Sequence, residues 1–127
     1  MYKEILEVVE KYQSVVNSQD KENFDELFAN NSECSLISIT NEFRGKDAIY
    51  NDFLINCIQK AYSYIELVND GIEVNMVSES LAIVVFKYHT VCTSRESGEN
   101  YGIQGLETQV IIKEDGVWKL LHVHYSK

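Results

Sequence analysis

The sequence predicts an α+β fold, with helices from the first half of the chain lying on one side of an antiparallel sheet built by the second half. Three observations support this prediction. Apolar residues recur at three- and four-residue spacing in the first half, alternating or continuous apolar runs of strand length follow residue 64, and glycine-containing turns separate those runs. With 127 residues, 45% of them hydrophobic, we expect a single domain spanning residues 1–127 with a buried core.

Two N-terminal helices are predicted from hydrophobic periodicity. The apolar residues of the first helix share one face: Ile5, Val8, Tyr12, Val15 and Val16. Residues 17–19 end this helix, and Asp20 is a suitable N-cap for a second, short helix. The second helix is expected to bury Phe24, Leu27 and Phe28.

A short strand and a third helix complete the first half. Residues 33–39, ECSLISI, alternate and are β-branched enough for a strand. Gly45 precedes the third helix. Its apolar residues are expected in two neighbouring rows, Ile49, Phe53 and Cys57 in one and Leu54, Ile58 and Ala61 in the other.

The rest of the chain is predicted to form strands. YIELV and IEVNMV flank Asn69, Asp70 and Gly71, which form either a hairpin turn or a bulge in one long strand. LAIVVFKYHTV is so apolar that we expect both faces of its middle to be covered. The last two strands flank residues 114–116, Glu-Asp-Gly, a strong hairpin signal.

The composition argues against several classes of partner. The net charge is −9 and Lys and Arg are not clustered, so nucleic acids and anionic membrane surfaces are not expected to bind. No apolar run approaches the ~20 residues that span a bilayer, and the charged N-terminus lacks a signal-peptide pattern, so we expect a cytoplasmic protein. Cys34, Cys57 and Cys92 fit no disulfide framework or C-x-x-C motif, and we expect them to be buried small hydrophobic residues.

Three stretches of the sequence carry a family resemblance. GLETQVIIKEDGVWKLLHVHYS resembles the end of the association domain of calcium/calmodulin-dependent protein kinase II and the SnoaL-like branch of the nuclear transport factor 2-like superfamily. EKYQSVVNSQDKENFDELFANN and FRGKDAIYNDF resemble the front half of the same superfamily. The resemblance implies a cone-shaped, curved antiparallel sheet wrapped on the N-terminal helices, the cystatin-like fold, with an open-mouthed pocket. It also implies self-association into a homodimer or a larger ring.

Strand alternation divides the side chains of the last strand between two faces. One face carries Trp118, Leu120, His122 and His124, and the other carries Lys119, Leu121, Val123 and Tyr125. The first set is amphipathic and aromatic, as is typical of a surface that packs on a second subunit. The resemblance agrees, because the H-x-H of the association domain faces away from its pocket. We therefore expect an interface there and no metal, since zinc requires three or four ligands; no cofactor is expected.

The resemblance also implies pocket residues. Three pocket arginines of the association domain correspond to Lys87, Gln109 and Tyr125, and a neighbouring glutamate corresponds to Glu107. Lys87 and Glu107 would then either form a buried ion pair or both lie solvated at the mouth of the cone. With a single cation, neutral donors and apolar walls, the pocket would suit a small amphipathic organic ligand with one carboxylate or carbonyl.

Catalytic candidates come from other branches of the superfamily. Tyr12 lies where the ketosteroid isomerase branch has its catalytic tyrosine, but Leu36 occupies the position of that enzyme's carboxylate base. Leu36 would instead be part of the apolar pocket wall. Dehydratases of the superfamily use an Asp and His pair, and His89 is a base candidate if it faces inward, although no inward Asp is evident.

Three functions remain open from the sequence. The first is a small-molecule-binding, self-associating domain. The second is a small lyase or isomerase that uses the same pocket. The third is a stand-alone oligomerisation module resembling the kinase association domain.

Overall fold

A computed structural model describes residues 2–127 and confirms the α+β fold, with N-terminal helices against a strongly curled sheet. Helix α1 spans Tyr2–Ser18 and α2 spans Lys21–Leu27. Helix α3 starts as an α-helical turn, Gly45–Asp47, and continues as a π-helix, Ala48–Gln59. The strands are β1 Ser35–Ile37, β2 Glu42–Arg44, β3 Tyr62–Ser78, β4 Leu81–Ser94, β5 Asn100–Tyr101, β6 Gln104–Glu114 and β7 Val117–Tyr125.

The strands form one sheet in the order β2-β1-β7-β6-β4-β3, with β5 paired to β4. The pairing is antiparallel except between β1 and β7, which run parallel. Helix α1 packs on β3 and β7, so one face of the curled sheet is covered by helices and encloses the core. Among residues 2–127, no helix is both long and apolar enough to cross a membrane.

The two N-terminal helices agree with the sequence prediction. All the residues predicted for the apolar face of α1 are buried, and so are Phe24, Leu27 and Phe28. Asp20 caps α2 because its side-chain Oδ1 accepts a hydrogen bond from the backbone N–H of Asn23 at 3.0 Å.

Helix α3 departs from the prediction because most of it is a π-helix. More than four residues make one turn of such a helix, as in the i to i+5 bond from Lys60 N to Ile55 O of 3.0 Å. Residues four apart therefore drift around the axis, and Cys57 and Ala61 are exposed rather than buried. The buried set is Ile49, Phe53, Leu54 and Ile58. The expected burial of the three cysteines holds for Cys34 and Cys92 only.

The strands resolve two further expectations. Residues 69–71 form a bulge inside the long strand β3, as the register shift against β4 shows, so the bulge alternative is correct. The hairpin between β6 and β7 is confirmed, with positive φ angles at Asp115 (49°) and Gly116 (80°) as tight hairpin turns require.

The expectation that β4 is covered on both faces is wrong within this chain. Its inward residues, Ala82, Val84, Phe86 and Tyr88, are buried. Outward residues such as Val85 and Val91 are exposed. The sheet therefore has one face on the core and one apolar outer face that the chain itself leaves uncovered.

Candidate functional site

A cavity lies inside the cone, between the concave face of the sheet and helices α1 and α3. The centre of a water molecule can occupy about 80 Å³ of it, which is room for a few waters or one small organic molecule. Aromatic and aliphatic side chains form most of the wall. The lining residues are Tyr12, Val16, Phe53, Ile58, Tyr62, Ile65, Leu67, Tyr88, Thr90, Cys92, Tyr101, Ile103, Glu107 and Tyr125.

Among the lining residues that the structure describes, Glu107 is the only Asp, Glu, Lys, Arg or His. It lies on β6 between Phe86 of β4 and Tyr125 of β7, and its residue is only 2% exposed. The side-chain Nε2 of Gln109 donates a hydrogen bond to Glu107 Oε2 at 2.8 Å. Burial raises the pKa of Glu107 to about 8, against a partial lowering by this hydrogen bond.

The predicted partner of Glu107, Lys87, lies on the other face of the sheet. Lys87 is exposed and is paired in register with Gly71 of β3 and Leu106 of β6. Its neighbour Phe86, not Lys87, is the β4 residue opposite Glu107. Both expectations for the pair are therefore wrong, because alternation along β4 places the lysine outside and the carboxyl group is buried rather than solvated.

Three tyrosines surround the buried carboxyl group, one each from α1, β4 and β7. Burial raises the pKa of Tyr12 well above its usual value, and the charge of Glu107 raises it further. The rings of Tyr88 and Tyr125 are 6.1 Å apart and perpendicular, at 89°. Tyr88 directs its hydroxyl elsewhere and donates to the backbone oxygen of Ser126 at 2.7 Å.

Another aromatic pair, Tyr62 at the start of β3 and Tyr101 on β5, also borders the cavity. Their rings are 5.6 Å apart and their hydroxyl groups are hydrogen-bonded to each other. Gly102 allows the segment after Tyr101 to approach β4, because a Cβ there would lie 1.9 Å from the backbone oxygen of Thr90. The aromatic pair is thereby held against the strand that carries Tyr88.

The structure brings four of the six predicted ligand-binding residues together. Tyr12, Glu107 and Tyr125 line the cavity, and Gln109 lies behind Glu107, fully buried. The side-chain Oε1 of Gln109 has no hydrogen-bond partner. Leu36 is a core residue of β1 opposite Val123 and does not reach the lining.

His89 also lies outside the cavity. Its Nδ1 is 2.6 Å from Oδ2 of Asp70, in the bulge of β3, and both side chains are about 40% exposed. The condition under which His89 was a base candidate, that it faces inward, is therefore not met, although the histidine does have an aspartate partner on the outer face.

The side chains of β7 do not all face the sides that were predicted for them. The register between β6 and β7 slips so that Leu120 pairs with Ile111 while His122 pairs with Val110, leaving Leu121 as the extra residue of a bulge. The bulge exchanges the faces. Trp118 and Leu120, predicted to face outward, are therefore buried in the core.

His122 and His124 do lie on the outer face. Nδ1 of His122 is 2.7 Å from Oγ of Ser35, and burial lowers the pKa of His122. His124 is exposed. Among the described residues, no group of three or more His, Cys, Asp or Glu side chains is placed to hold a metal ion.

Several lining residues were missed by the sequence analysis, notably Phe53, Tyr62, Tyr88 and Tyr101. Tyr88 had a usable signal, because it alternates with Phe86 and so shares the face of Glu107 across β6. Tyr62 and Tyr101 had none, since they are 39 residues apart and meet only through the pairing of β3, β4 and β5.

Comparisons with known proteins agree with this architecture. The family model described as a SnoaL-like domain matches residues 5–127. A nuclear transport factor 2-like superfamily protein from Salmonella enterica subsp. enterica serovar Typhimurium str. LT2 has a TM-score of 0.91 and 28% identity, covering 98% of this chain and 88% of that one. No curated protein matches the sequence significantly.

Two more distant structures show the same fold. Hexachlorocyclohexane dehydrochlorinase type 3 from Novosphingobium barchaimii LL02 has a TM-score of 0.85 and 12% identity, covering 98% of this chain and 84% of that one. A protein from Xanthomonas campestris, described as a candidate calcium/calmodulin dependent protein kinase II association domain, has a TM-score of 0.81 and 18% identity, with coverage of 99% and 86%. The predicted superfamily and cystatin-like fold are confirmed.

Proposed function

Because the chain belongs to the SnoaL-like family, whose model it matches over residues 5–127, we propose that it binds a small organic molecule in the cavity of the cone. The observation that carries this proposal is the aromatic and aliphatic wall around one buried carboxyl group, Glu107. A mostly apolar cavity with a few convergent polar groups is the usual form of a ligand site.

The structure changes the expected polarity of the ligand. The sequence predicts a ligand with one carboxylate or carbonyl because of Lys87, but Lys87 lies on the outer face of the sheet. Inside, an anionic ligand would meet the carboxyl group of Glu107, with no lysine, arginine or histidine among the described lining residues to compensate it. The amphipathic ligand is therefore proposed to contact Glu107 through a group other than a carboxylate.

A fragment screen followed by thermal unfolding tests this function. A ligand at a hundred times its dissociation constant adds about 2.7 kcal/mol to the free energy of unfolding. The hits should be lost in Ile58→Trp, which fills the cavity from α3, and kept in Val77→Trp, a matched change at an exposed position outside the lining. Hits that respond equally in both variants would place binding elsewhere.

The enzyme alternative has weaker support. One of its two catalytic candidates, His89, lies on the outer face of the sheet. The other, Tyr12, lines the cavity, but its raised pKa makes it a poor base at neutral pH. Glu107, whose burial raises its pKa to about 8, is the described lining residue best suited to exchange a proton near neutral pH. A single acid–base group supports a ligand-binding function more than an enzymatic one. We also propose a cytoplasmic location, in keeping with three free cysteines, which cell fractionation would test.

Self-association is proposed to use the outer face of the sheet. Val85 and Leu106 are exposed there on adjacent strands, and Ile83 and Val110 lie half-buried in register beside them. An exposed apolar area across the middle of a sheet is typical of an interface. A homodimer is the simplest assembly that covers it, and a larger ring built from dimers is compatible with it.

Sedimentation at micromolar concentration tests this assembly. The native chain should sediment above the 14.6 kDa of one monomer. Val85→Glu should shift it toward the monomer because a buried unpaired charge is costly. Val77→Glu, at a somewhat more exposed valine near the end of β3, should not. A native chain that sediments as a monomer contradicts the proposal.

A further inference from the structure

The cavity combines an uncompensated carboxyl group with aromatic walls, and we propose that its ligand is a small organic cation such as a substituted ammonium ion. This inference rests on the proposed binding function and specifies the ligand class. Two features of the cavity carry it: the missing partner of Glu107 and the way in which the surrounding tyrosines are used.

Glu107 has a neutral partner where a cation is missing. Its residue is 2% exposed, and the hydrogen bond that it accepts comes from the amide of Gln109. No lysine, arginine or histidine appears among the cavity-lining residues that the structure describes. A buried carboxylate is costly unless it is paired. A ligand that brings a positive charge supplies the missing pair.

Three of the five tyrosines among the described lining residues engage their hydroxyl groups within the protein. The hydroxyl of Tyr88 is committed to the backbone oxygen of Ser126, and those of Tyr62 and Tyr101 to each other. Tyr88 and Tyr125 both line the cavity, with their rings perpendicular to each other. Aromatic faces attract cations, most strongly where water is excluded, as in the aromatic cages that bind quaternary ammonium groups.

Size and overall charge fit the same class. The cavity of about 80 Å³ admits a compact head group and not a long chain. The chain carries a net charge of −9, so its long-range field attracts cations and repels anions. A carboxylate ligand is disfavoured by this field and, at a pH where Glu107 is ionised, by Glu107 as well.

The pH dependence separates a cation from a neutral ligand. A cation binds best when Glu107 is ionised, so its affinity should rise with pH and level off above about 8. A neutral carbonyl compound or alcohol that accepts a hydrogen bond from protonated Glu107 should instead bind less tightly as the pH rises over the same range. The other groups facing Glu107 are Tyr12 of α1, Tyr88 of β4 and Tyr125 of β7, and the raised pKa of each keeps it neutral throughout.

Calorimetric titration with three probes of similar shape tests the inference. The probes are tetramethylammonium, neopentyl alcohol and pivalate, which are cationic, neutral and anionic, each titrated at pH 6, 7 and 9 and at constant ionic strength. Tetramethylammonium should bind most tightly, and its affinity should increase at least tenfold from pH 6 to pH 9.

Variants locate the site. Glu107→Gln should lower the affinity for tetramethylammonium at least tenfold at pH 9 and remove the pH dependence of that affinity. Glu73→Gln makes the same chemical change at an exposed position of β3 outside the cavity and should leave both unchanged. Tyr88→Leu, which removes one aromatic wall, should weaken the cation more than it weakens neopentyl alcohol.

The outcomes distinguish this inference from the proposed function. Tighter binding of neopentyl alcohol or pivalate, abolished by Ile58→Trp, overturns the cation and leaves the cavity as a ligand site. Equal loss of the cation in Glu73→Gln and Glu107→Gln also overturns it. If neither these probes nor the fragment screen gives binding that Ile58→Trp removes, both the inference and the binding function fail.

Discussion

Where β4 pairs with β6, each face of the sheet departs at one position from a simple inside-apolar, outside-polar rule. At the pairing of β4 with β6, Phe86 and Glu107 face inward while Lys87 and Leu106, one residue away, face outward. The inner face thus buries an acid with no base among its described neighbours, and the outer face exposes a leucine beside a lysine. Each face therefore has a group without a matching partner among the described residues of the chain, an acid on the inner face and an exposed leucine on the outer face. The inner face is completed by a ligand and the outer face by a second subunit in the functions proposed above.

The largest effect expected from this contrast is a pH-dependent stability due to Glu107. Its pKa is about 8 in the folded chain against 4.5 as the reference value. The folded state therefore holds a proton that the unfolded state releases, so this contribution to stability is full below about pH 4.5 and is lost as pH rises to 8. Between pH 5 and pH 8 the loss is about 4 kcal/mol, at about 1.4 kcal/mol per unit.

Urea unfolding of the native chain and of Glu107→Gln across this range measures the difference. The difference between the two free energies of unfolding should shift in favour of the glutamine variant as pH rises. Glu73→Gln, exposed on β3, serves as the matched control and should track the native chain. A constant difference for Glu107→Gln from pH 5 to pH 8 would show that the carboxyl group is solvated.

A second effect distinguishes the two faces along β7. Leu120 is fully buried, so Leu120→Ala should lower the free energy of unfolding by about 3 kcal/mol through lost burial and a residual cavity. His124→Ala, on the outer face of the same strand, should change it by no more than about 0.5 kcal/mol. Chemical denaturation of dilute protein, where association is weakest, provides the measurement. Equal effects would contradict the bulge.

These particular residues show how far the sequence predicted the molecule. Hydrophobic periodicity and the Asp20 cap were enough for helices α1 and α2, and the family resemblance was enough for the fold. Alternation failed at β7 because one extra residue, Leu121, reverses the faces before it. A bulge of this kind depends on the register with a neighbouring strand, which a single strand's pattern does not contain.

The candidate site was predictable in part for the same reason. Glu107 and Gln109 were placed correctly because they lie on one uninterrupted stretch of β6. Lys87 was misplaced because the family resemblance assigns it to the pocket. The alternation of Val84, Phe86 and Tyr88, which face inward, places Lys87 on the outer face. The aromatic pair of Tyr62 and Tyr101 depends on contacts between distant segments and could not be predicted from local pattern.

The smallest expected effect concerns Lys87, and it tests whether a residue of the outer face influences the cavity. Lys87 is exposed and has no cavity-lining role in the structure, so Lys87→Met should change the free energy of unfolding by less than about 0.5 kcal/mol. The affinity for a cavity ligand should also stay the same, because the side chain lies on the opposite face of the sheet from Glu107. Removal of one outer cation makes the net charge −10 instead of −9, which is too small a change in the long-range field to alter binding severalfold. Titration of tetramethylammonium into Lys87→Met and into the native chain, at the same pH and ionic strength, makes the comparison. A severalfold weakening in Lys87→Met would mean that the lysine reaches the ligand, and that the assignment of the two faces at β4 is wrong.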